Sequence, residues 1–193
     1  MSDSAIRLLG ISGSLRRDSY STAVLRTLIE KAAPAIEITE APLHAIPLYN
    51  QDEDGERMPT TVRQFKQAIA ECQGLVIVSP EYNHGISGVL KNALDWASRP
   101  AFASPIMGKV VVLMTCSPGF LGGVRAQAQL HLTVTSMLAH VATHPQVVIG
   151  AAASKMKDGR LTDQASLDVA MAALQAGAAE IRLRRRGPTG SSP

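Results

Sequence analysis

Three short stretches of the sequence are apolar on successive residues, and they constrain the fold more than any other feature. A strand of this kind is covered on both faces, which is typical of a central parallel sheet. Two weaker stretches, bounded by turn formers, are further strand candidates. Together they predict five strands, at residues 6–12, 36–39, 75–79, 110–115 and 146–149.

Stretches of helical periodicity alternate with these strands, and in the first of them Val24, Leu25 and Leu28 share one face. The helix candidates are 21–33, 60–71, 88–98, 124–139 and 163–184. The alternation predicts an α/β fold, a doubly wound five-stranded parallel sheet with helices on both faces. We expect one domain over residues 1–186, a disordered tail over 187–193, and a functional site at the carboxyl ends of the strands where strand order reverses.

The charge balance favours neither a nucleic acid nor a membrane as partner. The chain has 19 basic and 16 acidic residues, a formal net charge of +3, and the surplus lies in the arginines at 182 and 184–186. No aromatic residue lies beside them, so we interpret the run as a solvated tail and predict no nucleic-acid partner. The longest apolar stretch, 110–114, is far shorter than the roughly 20 residues of a membrane span, and no membrane role is predicted.

Cysteine and histidine spacing predicts no metal site. Cys72 and Cys116 are far apart and form no CxxC pair, so a reducing, cytoplasmic location is expected. His140 and His144 have the spacing of a zinc helix, but Val141 takes the place of the glutamate that such a motif needs. Two near matches to the hydrolase motif Gly-x-Ser-x-Gly, GISGS and GISGV, each lack the final glycine.

The loop after the first strand has the composition of an anion site. It leads from a buried strand into a helix start, where unpaired backbone N–H groups favour an anion. It holds five hydroxyl residues and two arginines: Ser12, Ser14, Ser19, Ser21, Thr22, Arg16 and Arg17. An ordinary serine cap needs fewer hydroxyls, and neither Gly-x-Gly-x-x-Gly nor a Walker A pattern is present. We predict a phosphate pocket.

The loop after the third strand, residues 79–88, combines turn formers with flat side chains. Pro80, Asn83 and two glycines favour an irregular backbone, while Tyr82 and His84 offer surfaces to a planar ligand. A tight turn with a helix cap at Ser87 accounts for the glycines and the serine but not for the run EYNH. The loop is predicted to bind a ring.

The loop after the fourth strand, residues 115–127, carries three glycines and several donors. Glycine lets the main chain approach a ligand closely, and Ser117, Arg125 and Gln127 can donate hydrogen bonds. The alternative interpretation is a flexible connection. All three loops are expected at the same edge of the sheet.

Motifs in these loops resemble those of the NADPH-dependent FMN reductase family, the flavodoxin-like group that includes quinone, chromate and azo-dye reductases. They are GSLRRDSYS at 13–21, PEYNHG at 80–85 with KNALDW at 91–96, and SPG at 117–119 followed by GGVR at 122–125. The similarity spans residues 6–149. It implies a flavodoxin-like fold and bound FMN.

The resemblance also implies which residues contact FMN. The first motif would surround its phosphate, residues 80–84 would lie along the isoalloxazine edge, and Ser117 with the following glycines would close the pyrimidine side. Ser21 stands where asparagine is expected, and its hydroxyl keeps a donor there. The predicted cofactor-binding residues are Ser12, Ser14, Leu15, Arg16, Ser19, Tyr20, Ser21, Pro80, Glu81, Tyr82, Asn83, His84, Gly85, Ser117, Gly119, Gly122 and Gly123. The predicted substrate-binding residues are Tyr82, Arg17 and Arg125.

The implied activity is that of an NAD(P)H oxidoreductase without a catalytic side chain, because flavin N5 carries the chemistry. Hydride would pass from NADPH or NADH to bound FMN, and two electrons would then pass to a quinone, azo compound, metal oxyanion or free flavin. A flavodoxin-type electron carrier with a protein redox partner is the alternative, although such carriers are usually acidic; a flavin-binding module without turnover is a third possibility. Apolar surface on helices 88–98 and 124–139 either packs on the sheet or forms a subunit interface. The family resemblance favours the interface, and a homodimer or homotetramer is predicted.

Overall fold

The main sheet has six parallel strands in the computed structural model, which describes residues 4–185. The strands are β1 (Ile6–Ser12), β2 (Ile36–Glu40), β3 (Gly74–Pro80), β4 (Val110–Cys116), β5 (His140–Val141) and β6 (Val147–Ile149). Their order is β2-β1-β3-β4-β5, and β6 also pairs with β4. The prediction of a flavodoxin-like, doubly wound parallel sheet is confirmed. The predicted tail at 187–193 lies outside the described residues.

Five helices cover the two faces of the sheet: α1 (Tyr20–Ala32), α2 (Thr60–Glu71), α3 (Gly88–Ala97), α4 (Val124–Ser136) and α5 (Gln164–Arg185). Side chains from α1 and α5 pack on one face, and those from α2, α3 and α4 pack on the other. Val76 enters the first of these cores and Ile77 the second, which is why β3 is apolar on successive residues. No helix within the described range 4–185 is long and apolar enough to cross a membrane.

The last helix–strand connection differs from the prediction. α4 ends at Ser136 rather than at 139, because Leu138 adopts a left-handed φ of 61° and the Ala139 N–H donates back to the Val134 carbonyl at 3.2 Å. This arrangement commonly ends a helix at glycine, and leucine gives no such signal. The strand predicted at 146–149 is β6, while β5, a two-residue strand six residues before it, was not predicted.

A small antiparallel hairpin, β7 (Met156–Lys157) and β8 (Arg160–Leu161), separates the main sheet from α5 and was not predicted. Asp158 and Gly159 at its turn have φ of 49° and 70°. Asp-Gly at positive φ is a common two-residue hairpin turn. The hairpin contacts α1, since the Leu161 N–H donates to Thr27 Oγ1 at 2.9 Å.

Candidate functional site

The carboxyl ends of β1, β3 and β4 open into one cleft of about 370 Å³. It lies beside the reversal of strand order between β1 and β3, where open α/β sheets bind their ligands. The structure thus brings the three loops of the sequence analysis together. The residues that line the cleft are Ser14, Arg16, Ser19, Tyr20, Ser21, Pro80, Glu81, Tyr82, Cys116 and Pro118.

One wall of the cleft is the start of α1. Ser19 is the N-cap residue, and its Oγ accepts a hydrogen bond from the Thr22 N–H at 3.2 Å. The N–H groups of Tyr20 and Ser21 open the helix and have no partner in the part of the chain that the structure describes. The Arg16 guanidinium lies over the Tyr20 ring, 5.2 Å from its centroid. Unpaired N–H groups beside a guanidinium suit a phosphate.

Two of the serines predicted to hold the phosphate are turned into the protein. Ser12 Oγ is hydrogen bonded to Thr22 Oγ1 at 2.8 Å, and Ser21 Oγ to the Cys116 thiol at 3.4 Å. Both serines are buried. Their hydroxyls fix the loop against the end of the sheet, while the Ser14 hydroxyl lies on the cleft wall, where it accepts from the Arg16 N–H at 3.3 Å.

Cys116 lines the cleft, and sequence reasoning missed it. Burial raises the pKa of its thiol to about 11, although the hydrogen bond with Ser21 acts in the opposite direction. The thiol therefore keeps its proton at neutral pH and can donate it to Ser21 Oγ. The available signal was its position: Cys116 is the last residue of a predicted central strand.

The Cys116 thiol should make the protein less stable in alkali. Its pKa is raised from 9.0 to about 11 on folding, so this contribution is complete below about pH 9 and is lost as the pH rises to about 11. A difference in pKa of this size corresponds to at most about 3 kcal/mol of folding free energy. Urea unfolding of the wild type and of Cys116→Ala across this range measures the effect, and the variant should lose less stability. If the free energy of unfolding falls by the same amount in both proteins between pH 9 and 11, Cys116 is not the cause of the alkaline destabilisation.

The second loop turns back on itself and presents Tyr82 to the cleft. Tyr82 and Gly85 exchange backbone hydrogen bonds in both directions at 3.0 Å, and Asn83 and His84 have φ of 49° and 68°. This is the pattern of a type I′ turn. Asn83 and His84 lie at the exposed tip and do not line the cleft, so Tyr82 is the flat side chain of this loop that does.

Glu81 connects the second loop to α4. Its Oε2 accepts hydrogen bonds from the N–H groups of Arg125 and Ala126, each at 3.0 Å. The residue before α4 is Gly123, which has no side chain to cap the helix, so a carboxylate from another loop supplies the cap. Its Oε1 lies 3.7 Å from His84 Nδ1. Sequence reasoning missed this role because the partners are 44 residues away.

The third loop is packed against the segment that follows β6. The Ser117 N–H donates to the Ile149 carbonyl, and the N–H groups of Ala151 and Ala152 donate to the carbonyls of Gly119 and Ser117, all at 3.0 Å. These bonds hold the loop in place, so the interpretation as a flexible connection is not supported.

Glycines allow this packing rather than an approach to a ligand. Gly122 and Gly123 have φ of 64° and 93°, and a Cβ on Gly122 would lie 2.7 Å from the Gly150 nitrogen. A Cβ on Gly150 would overlap the carbonyl oxygen of Phe120. Gly150 was not predicted, because a glycine after a strand has no distinctive pattern. Gly119 is unrestricted, since a Cβ there would meet only the Ser117 hydroxyl at 3.5 Å.

Several residues chosen from the sequence lie away from the cleft. Leu15 and Arg125 are exposed outside its lining, and Arg17 lines a neighbouring groove. Gln127 is buried, and its side-chain amide donates to the Leu113 carbonyl at 3.2 Å.

Comparison with known proteins identifies the family. The family model described as NADPH-dependent FMN reductase matches residues 6–154. The chain belongs to this family. It is 40% identical over 177 residues to an NAD(P)H-dependent FMN reductase of Pseudomonas aeruginosa, covering 91% of this chain and 95% of that protein. It is 37% identical over 167 residues to a quinone reductase of Escherichia coli K12, covering 84% and 88%.

A solved structure agrees with these matches. FerB, a flavoenzyme NAD(P)H:(acceptor) oxidoreductase of Paracoccus denitrificans, superposes with a TM-score of 0.83 at 27% identity, covering 92% of this chain and 98% of FerB. The implied oxidoreductase with FMN as cofactor and NAD(P)H as co-substrate is therefore confirmed at the level of the family.

The residues of the cleft fit FMN. At one wall, the free N–H groups of Tyr20 and Ser21 with Arg16 match the charge and donor needs of a phosphate. In the same lining, the Tyr82 ring and Pro118 offer the flat apolar surface that a flavin ring needs. The individual cofactor contacts remain predictions.

Proposed function

We propose that this protein is an FMN-dependent NAD(P)H:quinone oxidoreductase. The observation that carries the proposal is a cleft that has Arg16 and the unpaired N–H groups at the start of α1 on one wall and includes the half-exposed Tyr82 of the second loop. Bound FMN would supply the redox chemistry, accepting a hydride from the nicotinamide and passing two electrons on to a quinone, with one proton from the hydride and the second from solvent. The protein binds and orients both partners, and no side chain serves as acid or base.

The surroundings of the cleft support a planar, apolar acceptor. Phe120 and Leu121 follow the cleft residue Pro118, and 91% and 53% of their surfaces are exposed. Exposed apolar groups of this size commonly mark a binding surface. A 2-hydroxy-1,4-benzoquinone reductase of a Burkholderia species, 42% identical over 126 residues and covering 68% of that protein, also favours quinones. Azo compounds, metal oxyanions and free flavin are the alternative acceptors, and the experiment described next compares each of them with a quinone.

An anaerobic visible spectrum tests this function. FMN-loaded protein should bleach on addition of one equivalent of NADPH or NADH and recover on addition of a benzoquinone. Bound FMN that neither coenzyme reduces would favour the electron carrier instead. Recovery with azo dye, chromate or free FMN but not with quinone would replace the proposed acceptor.

The phosphate site predicts a difference between FMN and riboflavin. Arg16→Ala should raise the Kd of FMN about tenfold, the loss expected for one charged contact, and should leave the Kd of riboflavin nearly unchanged because riboflavin has no phosphate. Fluorescence titration of both flavins measures this. Arg63→Ala, an exposed arginine on α2, is the matched control. Equal weakening of both flavins would place the Arg16 contact elsewhere.

We also propose a homo-oligomer. Leu90, Leu94 and Trp96 are fully buried in the protomer, but Leu132 and Leu138 are 70% and 47% exposed. Leu132 and Leu138 line a groove of about 550 Å³ together with Phe102, which is 83% exposed. A second copy of the chain would cover this surface, and light scattering tests it. The cytoplasmic location and the lack of a nucleic-acid partner stay predictions.

A further inference from the structure

The second loop is fixed to α4 at both of its ends. At its start, Glu81 Oε2 accepts hydrogen bonds from the N–H groups of Arg125 and Ala126. At its end, the Ile86 N–H donates to Gln129 Oε1 at 2.7 Å. The first two turns of α4 therefore hold the loop on either side of its tight turn.

The bond to Gln129 satisfies a backbone group that has no other partner. Ile86 is buried, and its N–H has no other acceptor within residues 4–185. Because a buried N–H without an acceptor is costly, this bond fixes the backbone at residue 86. Tyr82 and Gly85 exchange two backbone hydrogen bonds, so a shift of residue 86 would move Tyr82 together with the turn.

Gly85 leaves the room that the Gln129 side chain occupies. A Cβ at residue 85 would lie 2.6 Å from Gln129 Oε1, and its three nearest atoms would all belong to this side chain. The φ of Gly85 lies outside the left-handed region, so the backbone itself would accept alanine. The close approach of Gln129 therefore accounts for glycine at this position.

We propose that Gln129 is a positioning residue for the electron acceptor, because it holds the second loop so that Tyr82 lies in the cleft. The inference rests on the proposed function, in which Tyr82 contacts the quinone. Tyr82 lines the cleft and Gln129 does not, so Gln129 acts through the loop. Its role requires an acceptor at the length of a glutamine side chain and glycine at residue 85.

Amide hydrogen exchange of the FMN-loaded protein tests the contact without turnover. Gln129→Ala should speed exchange of the Ile86 N–H about threefold to tenfold, the change expected for the loss of one hydrogen bond. Gln129→Glu keeps an acceptor of the same length and should restore most of the protection. Unchanged exchange in Gln129→Ala would overturn the proposal.

The matched controls are Gln175→Ala and Gln175→Glu, which make the same changes at an exposed glutamine of α5, on the opposite face of the sheet. Exchange of the Ile86 N–H in both should equal that of the wild type. A slower or faster rate in Gln175→Glu would measure the effect of the added charge alone.

Quinone kinetics at saturating FMN test the positioning role. In Gln129→Ala the KM for a benzoquinone should rise about threefold to tenfold while kcat changes by less than about twofold, because acceptor binding is lost and the redox chemistry is not. A merely structural role would lower Tm and leave this KM unchanged. Failure of the proposed function looks different, because the wild type itself would then not reduce the benzoquinone.

Two double-mutant cycles complete the test. Gly85→Ala should act like Gln129→Ala in the native protein, because its methyl group would displace Gln129 Oε1, and it should have little effect in the Gln129→Ala background. Gln129→Ala should likewise leave the KM for the benzoquinone unchanged in the Tyr82→Ala background. Effects on log KM that simply add in either cycle would overturn the proposal, since Gln129 would then not act through this loop.

Discussion

Gly150→Ala is expected to lower both the stability of the protein and its affinity for FMN. A methyl group at this position would overlap the Phe120 carbonyl oxygen and lie near the Gly122 nitrogen at 3.3 Å. Both obstacles are backbone atoms, so relief requires the third loop to move away from the end of β6. Overpacking of this kind costs about 1–3 kcal/mol, and each kcal/mol lowers Tm by about 2–4 °C in a chain of this size.

The affinity for FMN should fall together with the stability, because the displaced loop includes Pro118, which lines the cleft. A binding site tolerates displacements of only about 0.5 Å, so we expect the Kd of FMN to rise at least about tenfold. Differential scanning calorimetry and FMN fluorescence titration measure the two effects.

Two other glycine substitutions separate this packing effect from a general intolerance of alanine. Gly119→Ala changes the same loop, where a Cβ would make only an ordinary contact with the Ser117 hydroxyl. Gly88→Ala adds a methyl group to the first turn of α3 with no atom within 4 Å, and alanine is the better helix former. Both variants should keep the wild-type Tm or exceed it. A Gly150→Ala protein with the same Tm as these two variants would contradict the packing argument.

The central strands were predictable because a strand that is buried on both faces is apolar on consecutive residues. β1 was predicted at its observed bounds, and β3 and β4 to within a residue or so at each end. β5 carries no such signal, since it has only two residues and neither is buried. The end of α4 carries none either, since it depends on a leucine in a left-handed conformation. The Asp-Gly pair at 158–159 is a recognisable hairpin-turn signal, but hydrophobic periodicity does not detect it because each strand has only two residues.

The candidate site was also predictable where its residues are close together in the sequence, and less so where they are far apart. The loop after β1 is contiguous in sequence, so its hydroxyls and arginines could be interpreted together, and the structure places Ser14, Arg16, Ser19 and Tyr20 on the cleft wall. The contacts that fix the other two loops join residues far apart in the chain. From sequence alone Glu81 is predicted to contact the cofactor; the structure places it in the cleft lining and adds that its Oε2 accepts hydrogen bonds from the start of α4.

Glu81→Ala is expected to destabilise the protein by about 2 kcal/mol. The substitution removes the carboxylate oxygen that accepts from both Arg125 and Ala126 and leaves the two N–H groups without that partner. Loss of a helix cap costs about 0.5–2 kcal/mol, and a charged acceptor at the positive end of a helix adds to this. Because Gly123 has no side chain that could replace the cap, no local rearrangement compensates.

Glu81→Gln distinguishes this positioning role from direct contact with the cofactor. The glutamine carbonyl oxygen can still accept from the helix, so a positioning role predicts that Tm and FMN affinity both recover much of their wild-type values and move together across the two variants. Glu37→Ala, which removes an exposed carboxylate from β2, controls for the change in net charge. If Glu81 instead contacts FMN, Glu81→Gln would change the Kd of FMN at constant Tm, and the carboxylate would then have to serve α4 and the flavin with different oxygens, Oε2 and Oε1.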